Sequence, residues 1–328
     1  MLKGIITLRN VCHETYYDIV YEWEDCICDN LNLQLISISD KVYKSSEKLK
    51  YRIISKLKRN MKIPLHKFSI NRDYYLAFIM NISHFKYYSE YNIIPIFLDT
   101  WKCDTQFLFN NFRKLNKIKY YVTNYQMFCL LTGKGAKNVE YIPLSIADKW
   151  ILSDCPRKQI DVIQMGRKNS ILHEYMLRFC SEFPDTEYVY LDLIGRQKGY
   201  LSTTRGFIGD CKTRISMMEL LRTAKVSLVS SPGIDAKEGD KSYGIDFPTP
   251  RFYESAVNYC YMIGRYSPKI EFDNLDIPSV CPNVDSYDEF KKCMIRYLES
   301  DSFNKKVFDN FIKRNTTIAR LGQIEKLM

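Results

Sequence analysis

The residue types best suited to chemistry gather between positions 246 and 264, in Asp246-Phe-Pro-Thr-Pro-Arg251-Phe-Tyr-Glu254-Ser-Ala-Val-Asn-Tyr-Cys-Tyr-Met-Ile-Gly264. Arg251 and Glu254 are three apart and share a face if the stretch is helical. The start of such a helix offers unpaired N–H groups to an anion. Arg251 adds a planar fork matched to phosphate oxygens, and Glu254 accepts hydrogen bonds from a pair of sugar hydroxyls. Phosphate and ribose contacts within one turn are what a nucleotide requires. Two further stretches point the same way. Ile160–Gly166 reads as a strand running into Gly166-Arg167-Lys168, with a helix from about Ser170, and Gly166 lets the backbone turn closely. Val226–Val229 runs into Ser230-Ser231-Pro-Gly233, whose backbone is expected to line the same crevice, with the loop 234–243 closing over it.

These residues must be positioned by the elements around them. Short apolar strands alternate with helical stretches and no internal repeat is visible, which indicates an α/β chain with mainly parallel sheets. In the first half, strands are expected at Gly4–Leu8, Gln34–Ile38, Tyr75–Met80, Ile94–Leu98, Ile118–Val122 and Asn138–Pro143. Helices are expected near Tyr16–Cys28, Ser46–Asn60, Thr105–Leu115 and Tyr125–Leu131. Pro143–Gln159 is irregular and reads as a linker. Beyond it come strand Ile160–Gly166, helix Ser170–Phe183, strand Glu187–Leu193, helix Ile215–Thr223 and strand Lys225–Val229. Helix Arg251–Tyr259, strand Cys260–Gly264 and helices Ser286–Glu299 and Phe303–Leu327 complete the chain. In such sheets ligands bind beyond the strand C-termini, and in two-domain chains often between the domains.

The Asp246–Glu254 stretch resembles the donor domain of GT-B glycosyltransferases of the "group 1" type, including the branch related to spore-coat CgeB proteins. That family carries Glu-x7-Glu, or an Arg-x-x-Glu version of it, before a small-residue helix. Asp246 stands here in place of the first Glu. The resemblance implies two doubly wound Rossmann-like domains facing a cleft. Residues 1–150 would form the acceptor-side domain and 151–300 the nucleotide-sugar donor domain, with a C-terminal helix over 301–328 packing back on the first. It implies ribose binding by Glu254 and diphosphate binding by the basic residues after the glycine, Arg167 and Lys168. Asp246 and Ser231 complete the donor set. Segment 119–143 resembles the last strand–helix–strand unit of the acceptor domain. An inverting enzyme needs a base for the acceptor hydroxyl. The candidates are Asp99, ending the strand of Ile94-Pro-Ile-Phe-Leu-Asp, and His84, after the preceding strand. No Asp-x-Asp metal motif is present, and the fold implies that arginine, lysine and helix dipoles meet the leaving diphosphate. The expectation is therefore a metal-independent hexosyltransferase with no cofactor beyond its nucleotide-sugar substrate.

Charge adds a partner. Between Lys41 and Lys67 there are ten basic residues against Glu47 alone, a net +9 out of a formal +10 for all 328 residues. Leu49, Ile53, Leu57 and Met61 recur every four positions there, so Lys48, Arg52, Lys56, Lys58 and Arg59 line the polar side of an amphipathic helix. Such a helix is attracted to an anionic membrane surface, which would suit a lipid-linked acceptor. Its alternatives are a domain helix with a solvated basic face and, less favoured, a helix binding nucleic-acid phosphates. The tyrosines are spread along the chain without dense basic–aromatic interleaving, which argues against a single-strand nucleic-acid binder. Eleven cysteines at irregular spacing, with no C-x-x-C, argue against a zinc ribbon or disulfide framework and fit a reducing cytosol. The longest apolar run is about six residues against the roughly twenty of a spanning helix, and the N-terminus is soon polar. A cytoplasmic protein, peripheral on the inner face of the membrane, is expected. Two other readings stay open: a nucleotide-sugar epimerase of the same architecture, and a non-catalytic nucleotide-sugar or carbohydrate binding protein.

Overall fold

The computed structural model describes residues 1–38, 72–88, 90–98, 102–115, 118–194, 197–232, 234–235, 244–300 and 302–326. The basic segment with Lys48, Arg52, Lys56, Lys58 and Arg59, the helix expected at Ser46–Asn60, Asp99 and most of the 234–243 loop lie outside the described residues. Contacts divide the chain into two units: Met1–Leu144 with Lys241–Ile245 and Arg320–Met328, and Ser145–Asp240 with Asp246–Ala319.

Among the described residues the first unit holds six strands: β1 (Leu2–Thr7), β2 (Gln34–Ser37), β3 (Tyr74–Ile79), β4 (Ile93–Phe97), β5 (Tyr120–Val122) and β6 (Val139–Tyr141). Their order is β2-β1-β3-β4-β5-β6, and every pairing is parallel. All of β4 and β5 is buried, as a parallel sheet covered on both faces requires, whereas the edge strand β2 stays largely exposed. Between them run α1 (Asp18–Leu31), α2 (Lys102–Leu115) and α3 (Tyr125–Gly133). Asn124 caps α3 by accepting from the Met127 N–H at 2.7 Å.

The second unit holds β7 (Ile160–Gln164), β8 (Tyr188–Ile194), β9 (Gln197–Ser202), β10 (Gly206–Gly209), β11 (Ala224–Ser230) and β12 (Tyr261–Arg265), in the order β10-β9-β8-β7-β11-β12. The four strands from β8 to β12 in that order are parallel, while β9 pairs antiparallel with β8 and β10 antiparallel with β9. The helices are α4 (Ser170–Glu182), α5 (Arg214–Thr223), α6 (Pro250–Val257), α7 (Ile270–Asn274), α8 (Tyr287–Glu299), α9 (Lys305–Asn315) and, grouped with the first unit, α10 (Leu321–Glu325). Strand alternation sorts them. Val226 and Leu228 of β11 pack in one core with Leu172, Met176 and Phe179 of α4 and Phe290 and Met294 of α8. Ser227, between them, turns to the opposite face, where its hydroxyl accepts from Ser255 of α6 at 2.8 Å. Small residues at this contact let α6 lie close on the sheet. Gly264 is required for a related reason, since a Cβ there would come within 2.6 Å of Cys281 Sγ.

Two expectations from the sequence are corrected. The β9–β10 hairpin is an addition to the expected elements, because its strands are short, polar and interrupted by Gly199, Gly206 and Gly209. The single helix expected over Phe303–Leu327 ends at Asn315. Thr316 takes extended backbone there, and the chain forms a bridge to Ile146, with Ile146 N–H donating to Asn315 O at 3.2 Å and Thr317 N–H to Ile146 O at 2.9 Å. A 3₁₀ turn at Ile318–Arg320 then leads into α10. The β-branched Thr316-Thr317 pair favours the extended alternative.

Candidate functional site

In each sheet the strand order reverses at one point: between β1 and β3 in the first, and between β7 and β11 in the second. The C-terminal ends of strands at such a reversal open a crevice. In the second unit Gly166 follows β7 and Ser231 follows β11, so both sequence-derived turns fall there.

Gly166 has φ +78°, a left-handed conformation that glycine adopts without steric cost. Its N–H donates to Tyr200 Oη at 3.2 Å. A Cβ at this position would lie 3.5 Å from Arg251 Nε, so residues 85 apart in the chain meet at one place. Arg251 ion-pairs with Glu254 one turn away, and Arg214 of α5 pairs with the other oxygen of the same carboxylate. Glu254 is 1% exposed. Burial alone would raise its carboxyl, but the two guanidiniums outweigh that and hold it below the usual range. Arg214 is the participant that sequence reasoning missed. The available signal was an arginine in the first turn of a helix, where the dipole disfavours a cation.

The other expected residues are distributed around this pair. Arg167 is exposed. Lys168 ion-pairs with Asp192 at 3.0 Å and sits 4.8 Å over the Tyr190 ring. Asp246 is buried and accepts from the Ser267 N–H at 2.7 Å, tying its loop to the end of β12. Ser231 is fully buried, and its N–H donates to Arg265 O at 3.1 Å. Also unforeseen is a network joining the loops after β7, β11 and β12: Asn169 donates to Asp235, and Arg265 Nε donates to Asp235 at 3.0 Å. Asn169 also caps α4, accepting from the Leu172 N–H at 3.0 Å.

At the reversal of the first sheet, His84 follows β3, and its Nδ1 lies 2.5 Å from Tyr17 Oη. Beside β1, Thr7 donates to Glu24 at 2.6 Å and Arg9 Nε donates to the same oxygen at 3.2 Å. Burial pushes the Glu24 carboxyl up to about 7, against the pull of the Thr7 hydrogen bond and Arg9. Among the described residues no three His, Cys, Asp or Glu side chains come together to hold a metal ion.

Comparison with solved structures settles the architecture. A crystal structure of a point mutant of S. aureus TarM in complex with fondaparinux, alpha-GlcNAc-glycerol and UDP matches 78% of this chain at 9% identity with a TM-score of 0.54. A second TarM crystal structure matches the same share at 9% identity and a TM-score of 0.50. The chain has the GT-B fold. It spans about half the length of those TarM chains, 55% and 54%. AviGT4, a glycosyltransferase involved in avilamycin A biosynthesis, is matched over 100% of this chain and 97% of its own at 12% identity and a TM-score of 0.49. No family model and no curated protein matches the sequence. In this GT-B chain the two six-stranded sheets are the two Rossmann-like units, and the Gly166–Arg251 meeting point belongs to the second.

Proposed function

We propose that this protein is a glycosyltransferase that moves a sugar from a nucleotide-sugar donor to a carbohydrate or lipid-linked glycan acceptor. The meeting of the Gly166 turn with Arg251 beside a buried, charged Glu254 carries the reading. A turn without a side chain lets phosphate oxygens approach the backbone, and the Arg251 guanidinium supplies paired N–H donors. The donor diphosphate would lie against Gly166, Arg167 and Arg251, joined by Lys168 once it releases Asp192. Glu254 would take the ribose hydroxyls, while Asp246 and Ser231 shape the surrounding loops. Positive side chains of this kind stabilise a leaving diphosphate without a metal. His84, oriented by Tyr17, is the proposed base, with Asp99 as its alternative from the sequence. The same fold in TarM, whose mutant structure holds UDP, makes UDP the first nucleotide to try. The basic segment 41–67 supports a lipid-linked acceptor reached from the cytoplasmic face of a membrane.

Calorimetric titration of UDP, GDP, CMP and dTDP into wild type and Arg251→Ala tests this. One nucleotide should bind the wild type, with affinity at least about tenfold lower in the variant. If none binds, or if Arg251→Ala binds as wild type does, the donor site is not here.

A further inference from the structure

Helix α5 opens with a side chain that does not suit its position. Thr213 caps the helix, accepting from the Ser216 N–H at 3.1 Å, while Ser216 Oγ accepts from the Thr213 N–H at 3.2 Å. Arg214 follows in the first turn, at the positive end of the helix dipole, where an anion is favoured. Its side chain is only 7% exposed. A buried cation at a helix N-terminus is doubly unfavourable unless a nearby charge compensates it. That charge is Glu254, 40 residues further along the chain. The Trp150 ring faces the same guanidinium, its centroid 5.9 Å from Arg214 Cζ.

Glu254 therefore has two cations, one more than neutrality asks. They differ in exposure: 7% for the Arg214 side chain and 29% for Arg251. Only Arg251 is within reach of a ligand arriving from solvent. If Arg251 alone balanced Glu254, turning to a diphosphate would strand a buried carboxylate, a strongly unfavourable state. That cost would be subtracted from binding.

We propose that Arg214 is the positioning residue of the nucleotide site, holding Glu254 charged and oriented so that Arg251 is free to engage a diphosphate. This rests on the donor-nucleotide reading above. Arg214 touches no ligand itself. It acts through Glu254, and its guanidinium fork keeps the carboxylate in one orientation.

The test uses five full-length proteins: wild type, Arg214→Met, Arg214→Lys, Glu254→Gln and the double variant Arg214→Met/Glu254→Gln. Each is titrated calorimetrically with UDP, GDP and dTDP, and its thermal unfolding is recorded. Arg214→Met should lose at least about tenfold in affinity for the diphosphate that binds wild type. Arg214→Lys should recover part of the loss, since lysine restores the charge but not the fork. The double variant should bind more tightly than Arg214→Met and unfold at a higher temperature, because Arg251 no longer has to balance a buried carboxylate alone. A side chain that served only packing would give no such rescue. Losses that multiply in the double variant, or an Arg214→Met protein that binds as wild type does, overturn the proposal and leave the donor reading standing. A wild type that binds none of the three diphosphates overturns this proposal, and one that binds CMP no better overturns the donor reading with it.

Discussion

Arg251 and Glu254 are near neighbours in sequence, yet their surroundings give them different energetic roles. Glu254 is sealed from water between two arginines, while Arg251 keeps 29% of its side chain exposed. Glu254→Ala would leave Arg214 buried without its carboxylate, a loss of about 3–5 kcal/mol. Its thermal midpoint should fall by many degrees. Arg251→Ala removes the better solvated partner and should cost about 1 kcal/mol or less, while abolishing nucleotide binding. Equal thermal shifts in the two variants would contradict this division. Gly166 makes a third case. A side chain at φ +78° costs about 1–2 kcal/mol, and the added methyl would occupy the space beside Arg251, in ordinary contact at 3.5 Å, that a phosphate oxygen would need. Gly166→Ala should keep its circular dichroism and lose nucleotide affinity several-fold, about one kcal/mol or more in binding.

At the scale of elements, caps and turns decide where these side chains stand. Asn169 holds the start of α4 and also reaches Asp235, so Asn169→Ala should cost about 1 kcal/mol for the cap alone. Urea unfolding should show it losing more than Thr213→Ala, whose capping hydrogen bond with Ser216 is exposed and local. Beside β1, Glu24 ties the first turn to α1 and carries a carboxyl raised to about 7 from the ordinary 4.5. The unfolded chain releases this proton first as pH rises, so the folded state binds more protons between the two values. The contribution is full below about pH 4.5, declines through the window and is spent above about 7. Wild type should thus lose stability relative to Glu24→Gln as pH rises from 4.5 to 7, by at most about 1.4 kcal/mol per pH unit. A constant difference across that window would show that Glu24 is ionised throughout. Most strands and helices were legible because their apolar residues repeat at intervals of two or three to four. The β9–β10 hairpin was not. Its short strands carry Gly199, Gly206 and Gly209, and its pairing with β8 is a tertiary event.

For the whole molecule, two parallel-centred sheets each reverse strand order once, and polar side chains gather at both reversals. The second collects Gly166, Arg251 and Glu254; the first collects His84, Tyr17 and Glu24. In the sequence the excess charge is concentrated in segment 41–67. Replacing Lys48, Arg52, Lys56, Lys58 and Arg59 by alanine should sharply weaken co-sedimentation with vesicles rich in anionic lipid, at up to about 1 kcal/mol per residue. Unchanged co-sedimentation, or none for wild type, would remove the membrane from this account.

Apolar periodicity and turn chemistry let the sequence by itself determine the α/β class, the alternation of elements and the turn at Gly166. The three-residue spacing likewise joined Arg251 to Glu254, because one helical turn is a local fact. Only the tertiary structure decided that Arg251 lies over Gly166, that Arg214 completes the buried charge group, and that Lys168 turns to Asp192. Those contacts join residues 85, 40 and 24 positions apart. Their partners are chosen by strand order and by the high cost of burying an uncompensated charge, neither of which leaves a mark in local spacing.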